Sequence, residues 1–237
     1  MGKIVSLIKH NELFETLSCV NPKIKEVSKN FKYVEEGQHY DFDNNKISNW
    51  FNPDNVKNLG FSRVYPRMCA EQYRSEYSLS IHQSNYLSLF LINLLYQDTK
   101  DVLIEDVGCG AGIFFIYLNM LGFTNFNGID NFSQLNKFTF DFYMNEFGLS
   151  PALNDESKRP IISNNVGVTS AVCRSAVIDS AELICCYTNR SLEESAKRVL
   201  GDAGYEFLCK DSDDLCFCYC KKEKYEKFTE AIIPYSE

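Results

Sequence analysis

The stretch Ile104-Glu105-Asp106-Val107-Gly108-Cys109-Gly110-Ala111-Gly112 places three glycines at alternate positions directly after a short apolar run. Glycines at that spacing let a strand turn sharply into a helix. With no Cβ in the way, the turn leaves its backbone N–H groups open to a ligand. Asp130, 22 residues after Gly108, follows the next apolar run, Phe126 to Ile129. In a parallel sheet the ends of two such strands are neighbours, and a carboxylate there can accept both hydroxyls of a ribose. Turn and acid together predict a ligand that contains adenosine.

Spacing and charge narrow the ligand further. A dinucleotide site has Gly-x-Gly-x-x-Gly/Ala, which from Gly108 requires a small residue at 113, where Ile113 stands. Asp106, just before the turn, repels a pyrophosphate and favours a cationic group. S-adenosylmethionine carries no phosphate and has an ammonium and a sulfonium, so the local charge suits it.

These residues resemble the class I S-adenosylmethionine-dependent methyltransferases. That family's first motif, a strand followed by acidic-x-Gly-x-Gly-x-Gly, is matched by Asp106, Gly108, Gly110 and Gly112; its second is matched by Asp130 in Gly128-Ile129-Asp130-Asn131. The resemblance implies S-adenosyl-L-methionine as cofactor. Asp106 and the turn, Gly108, Cys109, Gly110 and Gly112, would hold the methionine part. Asp130 and Asn131 would lie at the ribose, and Phe132 would wall the adenine. Cys109 also reads as a small filler of the turn. Two features depart from the pattern. Between Gly148 and Ala181 there is room for one βα unit fewer than usual, and no Asn/Asp-Pro-Pro-aromatic motif is present.

The strand Glu182 to Tyr187 runs on into Thr188-Asn189, where acceptor-side residues would lie, so Tyr187 and Asn189 are catalytic candidates. His82 is the candidate general base, with a hydrogen-bonded structural histidine as the competing reading. The implied reaction is in-line displacement at the methyl carbon. It depends on alignment and exclusion of water, and needs a base only where the acceptor must lose a proton. Two rival readings remain: a methyltransferase-like module that binds without turnover, and an NAD-dependent oxidoreductase, which Ile113 disfavours.

The elements around the turn alternate as a parallel sheet requires. A strand ending near Val107, a helix from Ile113 to Leu121, the strand Phe126 to Ile129 and a helix from Ser133 to Phe147 follow in order. Leu135, Phe138 and Phe142 are expected on the inward face of the last helix. Downstream, 150–168 reads as loop with at most one short strand near Ile161-Ile162. A helix runs from Ser191 to Ala203, and Tyr205–Cys209 and Leu215–Cys220 form an antiparallel hairpin. The charged tail from Lys221 reads as frayed. Upstream, Ile4, Leu7, Ile8, Phe14 and Leu17 recur at helical spacing until Pro22, a second helix runs toward Val34, and 37–60 reads as a loop around Trp50. The expected architecture is α/β: a Rossmann-like, doubly wound, mostly parallel sheet with a C-terminal antiparallel hairpin over 84–237, and a helical N-terminal cap over 1–83.

Of 237 residues, 24 are Lys or Arg and 32 are Asp or Glu, a net charge of −8. That balance argues against a broad nucleic-acid surface, which needs clustered cations, and points to a small-molecule or peptide substrate. No run reaches the roughly eighteen apolar residues of a membrane span, and no signal pattern opens the chain; a cytoplasmic protein is expected. The ten cysteines include no Cys-x-x-Cys pair and only three histidines accompany them, so no metal site is expected. Cys216, Cys218 and Cys220 alternate along one strand, about 7 Å apart and out of mutual reach, as reduced apolar fillers.

Overall fold

A computed structural model gives the fold and describes residues 3–5, 11–28, 32–35, 38–41, 46–47, 77–130, 134–187, 194–212 and 216–236. The first strand, β1 (Lys3–Val5), is followed by helices α1 (Asn11–Ser18) and α2 (Val20–Ser28). A three-stranded antiparallel sheet comes next, made of β2 (Lys32–Glu35), β3 (Gln38–Asp41) and β4 (Lys46–Ile47). The chain continues through α3 (Tyr77–Leu95), β5 (Ile104–Val107), α4 (Ile113–Met120), β6 (Phe126–Ile129) and α5 (Gln134–Glu146). After these come β7 (Ala152–Leu153), β8 (Ile162–Asn165), the short helices α6 (Val168–Val172) and α7 (Ser175–Ser180), and β9 (Leu183–Cys186). Helix α8 (Glu194–Asp202), the hairpin β10 (Tyr205–Asp211) and β11 (Phe217–Lys221), and helix α9 (Lys222–Ile232) complete it.

The main sheet has eight strands in the order β1-β10-β11-β9-β8-β5-β6-β7. From β5 the chain steps outward to β6 and β7, then crosses back to β8 and β9, which is the doubly wound, Rossmann-like order. Strand β11 runs antiparallel to both its neighbours and forms the predicted hairpin with β10. Helices α3, α4, α5 and α9 bury their apolar residues against one face. Helices α6, α7 and α8 cover the other through Val168, Ala171, Val177, Ala196 and Leu200.

Between Gly148 and Ala181 no strand is missing. Both β7 and β8 are present, in parallel register with β6 and β5; what the chain omits is a helix between them. Strand β7 is two residues long, too short to show any periodicity, which is why the segment reads as loop. The tail from Lys221 is likewise ordered rather than frayed. Its cause lies in α3, where every residue from Asn85 to Ile92 is buried; a helix that apolar needs cover on all sides. Helix α9 supplies the cover: Phe228 lies edge-on to Tyr96, and Tyr235, just beyond the helix, lies edge-on to Phe90. Burying Phe228 and Ile232 contributes roughly 1.5–3 kcal/mol each.

The N-terminal part carries strands as well as helices. Ile4 belongs to β1, which extends the main sheet by pairing parallel to β10. Pro22 lies within the first turn of α2, where its missing N–H costs nothing, rather than ending a helix. Residues 38–41 and 46–47, expected in a loop, are strands; Trp50 lies outside the described residues. Leu17, Val20 and Ile24 enter the same core as α3 and α4. Among the described side chains of α5, Phe140, Tyr143 and Met144 are buried and Phe142 is partly buried. The side chains of Leu135 and Phe138 lie outside the described part, and Phe142 packs against the core.

Candidate functional site

Strand order reverses between β5 and β8, so the C-terminal ends of these strands diverge into loops on opposite sides and leave a crevice between them. The glycine turn sits at that point. Gly108, Gly110 and Gly112 have φ of 85°, 51° and 76°, a left-handed conformation that disfavours any side chain. The turn is tied to the end of β6. Gly108 N–H and Cys109 N–H both donate to the Ile129 carbonyl, at 2.7 and 3.3 Å. Gly110 N–H donates to Asp130 Oδ2 at 2.8 Å. Asp130 is therefore brought to the turn as the sequence predicts, with one oxygen already oriented by the turn itself. Its own N–H donates to Asn154 Oδ1 at 2.9 Å, and Asn154 is left-handed at φ 52°.

The glycines differ in what their missing Cβ makes room for. At Gly108 a Cβ would stand 2.2 Å from Val166 Cγ2 and 3.8 Å from the Tyr187 hydroxyl. Tyr187, at the end of β9, thus lies over the start of the turn. At Gly112 it would meet Met144 and Phe140 of α5, at 2.6 and 2.9 Å. At Gly128 it would meet the Cys109 thiol at 2.8 Å. Cys109 fills that gap; burial, with Asp106 and Asp130 nearby, pushes its thiol well above the ordinary range. A thiol so held is a poor nucleophile.

Two consecutive carboxylates of β5 point to opposite faces of the sheet. Glu105, fully buried, receives Arg174 from the start of α7, at 2.9 Å to Oε2 and 3.3 Å to Oε1, and Asn127 Nδ2 at 2.7 Å. Asp106, 3 % exposed, receives only an amide: Asn164 Nδ2 donates to its Oδ1 at 2.8 Å. Burial pushes the Asp106 carboxyl up to about 7; the Asn164 bond opposes the rise, and Asp130 and Glu105 add to it. No cation among the described residues faces it.

Asn164 is itself held. Ser88 Oγ donates to its Oδ1 at 3.0 Å, and its Nδ2 also reaches Asn85 Oδ1 at 3.3 Å. Ser88 in turn touches the Cys216 thiol at 3.3 Å. The sequence reading missed Asn85, Ser88, Asn154 and Asn164. One signal was visible: Ser163-Asn164-Asn165 puts three polar residues in a central parallel strand, where apolar runs are the rule. Beyond Ser88 the thiols come together. Cys218 Sγ lies 3.6 Å from Cys185 Sγ and 3.9 Å from Cys216 Sγ, within mutual reach and not 7 Å apart. The expected spacing fails because Cys216 precedes the strand, with its N–H held by Asp211 Oδ1. Among the described residues no group of three or more His, Cys, Asp or Glu side chains is arranged to hold a metal.

His82 lies on α3, three residues before Asn85, with its side chain outside the described part. Asn131, Phe132 and Asn189 fall wholly outside it. Among the described residues no helix is long and apolar enough to cross a membrane.

No family model matches the chain, and no curated protein matches it. Among solved structures it is similar to a ribosomal protein L11 methylase from Lactobacillus delbrueckii subsp. bulgaricus, with 15 % identity over 60 % of this chain and 79 % of the other, TM-score 0.46. It is similar to magnesium protoporphyrin IX methyltransferase from Synechocystis PCC 6803, solved with S-adenosylmethionine bound, with 15 % identity over 60 % and 81 %, TM-score 0.45. A TehB-like S-adenosylmethionine-dependent methyltransferase from Corynebacterium glutamicum shares 15 % identity over 72 % of this chain and 100 % of its own, TM-score 0.41. At these scores the choice of function rests on the chain's own residues.

Proposed function

We propose that this chain is a class I S-adenosylmethionine-dependent methyltransferase that acts on a small-molecule or peptide acceptor. One observation carries the reading: a buried carboxylate, Asp106, with one amide partner and no cation among the described residues, stands beside a left-handed glycine turn at the switch point of a doubly wound sheet. A cationic nucleoside fits that arrangement. The site holds two carboxylates, Asp106 and Asp130, and a pyrophosphate does not suit them. The excess of acidic residues over the whole chain disfavours a nucleic-acid acceptor in the same way.

When bound, the cofactor supplies a methyl group activated by a positively charged sulfur. Asp106 and the turn bind the methionine part, with Asp106 facing its ammonium. Asp130, oriented by Gly110 N–H, accepts hydrogen bonds from the ribose hydroxyls, and Asn131 and Phe132, which follow it in sequence, are the candidates for the rest of the nucleoside. Tyr187, over Gly108, borders the acceptor side, and Asn189, two residues on in sequence, is the other acceptor-side candidate. His82 takes a proton where the acceptor must lose one. The protein then works by alignment and exclusion of water.

Thermal unfolding with S-adenosylhomocysteine or NAD tests the ligand class. At 100 times its Kd the first stabilises the protein by about 2.7 kcal/mol, and NAD leaves it unchanged. A shift with NAD alone overturns the proposal in favour of an oxidoreductase. Release of S-adenosylhomocysteine from S-adenosylmethionine over an acceptor panel tests turnover. Binding without release on any acceptor supports the non-catalytic module instead, a reading favoured by the missing helix between β7 and β8 and by the absence of an Asn/Asp-Pro-Pro-aromatic motif.

A further inference from the structure

The residues buried behind Asp106 are polar and bonded to one another. Asn164 stands in β8, 1 % exposed, and Asn85 and Ser88 stand in the buried run 85–92 of α3, which is otherwise apolar. Each makes a specific bond. An ionised Asp106 can only accept, so the Asn164 NH2 turns to it and the Asn164 Oδ1 turns to the Ser88 hydroxyl, which donates to it. Its NH2 then points at Asp106 Oδ1 and Asn85 Oδ1, two acceptors. A buried network that satisfies its polar members orients them and is costly to break.

We propose that Asn164 is the positioning residue of the cation-binding carboxylate. It aims Asp106 at the ligand ammonium and favours its charged form, and Ser88 sets the orientation in which it does so. This rests on the cofactor reading above. Asn164 itself touches the carboxylate rather than the ligand. Its effect is greatest where Asp106 changes charge, so the pH dependence of binding reads it directly. The titratable groups near Asp106 are Asp130 at the end of β6, Glu105 on the opposite face, paired with Arg174, and Cys109 in the turn. Cys185 and Cys216 lie beside Asn164 and Ser88, and His82 is on the same helix as Ser88.

The test is the affinity for S-adenosylhomocysteine between pH 5.5 and 8, by calorimetry, for the full chain and for Asn164→Leu, Asn164→Asp, Ser88→Ala and Asp106→Asn. In the wild type, affinity rises with pH to a plateau, and Asp106→Asn removes the rise. Asn164→Leu moves the midpoint upward by about one pH unit, because the bond that favours the charged form is gone. Ser88→Ala moves it the same way by less, and it covers the case in which Asn164→Leu fails to fold. Asn164→Asp, isosteric with the wild type, moves it at least as far as Asn164→Leu through its added acid. Variants that fold and bind with the wild-type midpoint overturn the role of Asn164 and leave the cofactor reading intact. Wild-type protein that binds no S-adenosylhomocysteine at any pH overturns both.

Discussion

Glu105 and Asp106 are neighbours on one strand and both are buried, but the fold treats them oppositely. Glu105 meets Arg174 in a two-bond ion pair, and Asn127 adds a third bond. Asp106 meets an amide and no cation among the described residues, and its carboxyl is pushed up to about 7. The alternation of side chains along a strand sends one to the face under α6 and α7 and the other to the face under α3. A buried charge that the chain neutralises itself serves the fold. In the proposed reading the other is left for the ligand's charge, and the cost of keeping it falls on the empty protein.

The largest expected effect breaks the structural side of this pair. Arg174→Met leaves Glu105 buried and unpaired, at a cost of about 3–5 kcal/mol in denaturant unfolding. Next, Asp106→Asn should do the opposite. The folded pKa of Asp106 lies above its ordinary 3.8, so the native state keeps a proton that the unfolded chain gives up, and stability falls as pH rises from about 4 to about 7. At pH 8 that loss is complete, and Asp106→Asn should raise stability by about 2–4 kcal/mol while weakening the ligand. A variant less stable than wild type at pH 8 would break the contrast.

Smaller effects sharpen it. Asp130→Ala removes charged hydrogen bonds to the ligand and one to Gly110, and should weaken S-adenosylhomocysteine by about 1.5–3 kcal/mol in calorimetry. An unchanged affinity would remove Asp130 from the site. Gly108→Ala pushes a Cβ to 2.2 Å from Val166 at a left-handed φ, and should cost about 1–2 kcal/mol of stability. In Gly108→Ala/Val166→Ala the steric part is relieved and the backbone part stays, so the double variant should recover only in part.

The candidate site was legible because its signals are local. Glycine spacing, the acid before the turn and the acid ending β6 lie within a stretch that the chain's own rules place at one strand end. The residues that hold Asp106 were not legible, since Asn85, Ser88 and Asn164 meet only across the packing of α3 on β8. The same holds for the fold. Strand β6 was readable from its bounded apolar run, whereas β1 exists only because the edge of β10 accepts it. Helix α9 reads as a charged tail until α3 offers an apolar surface to Phe228 and Ile232, four residues apart on one face.

The most direct measurement is the proton balance of ligand binding: S-adenosylhomocysteine titrated calorimetrically near pH 6.5, in two buffers of different ionisation enthalpy. If Asp106 waits for the ligand's ammonium, binding drives a proton off its carboxyl, so a fraction of a proton is released to the buffer, and Asp106→Asn abolishes that release. Binding with no proton exchange, or with equal release from the Asn variant, would show that Asp106 does not meet the ligand's charge.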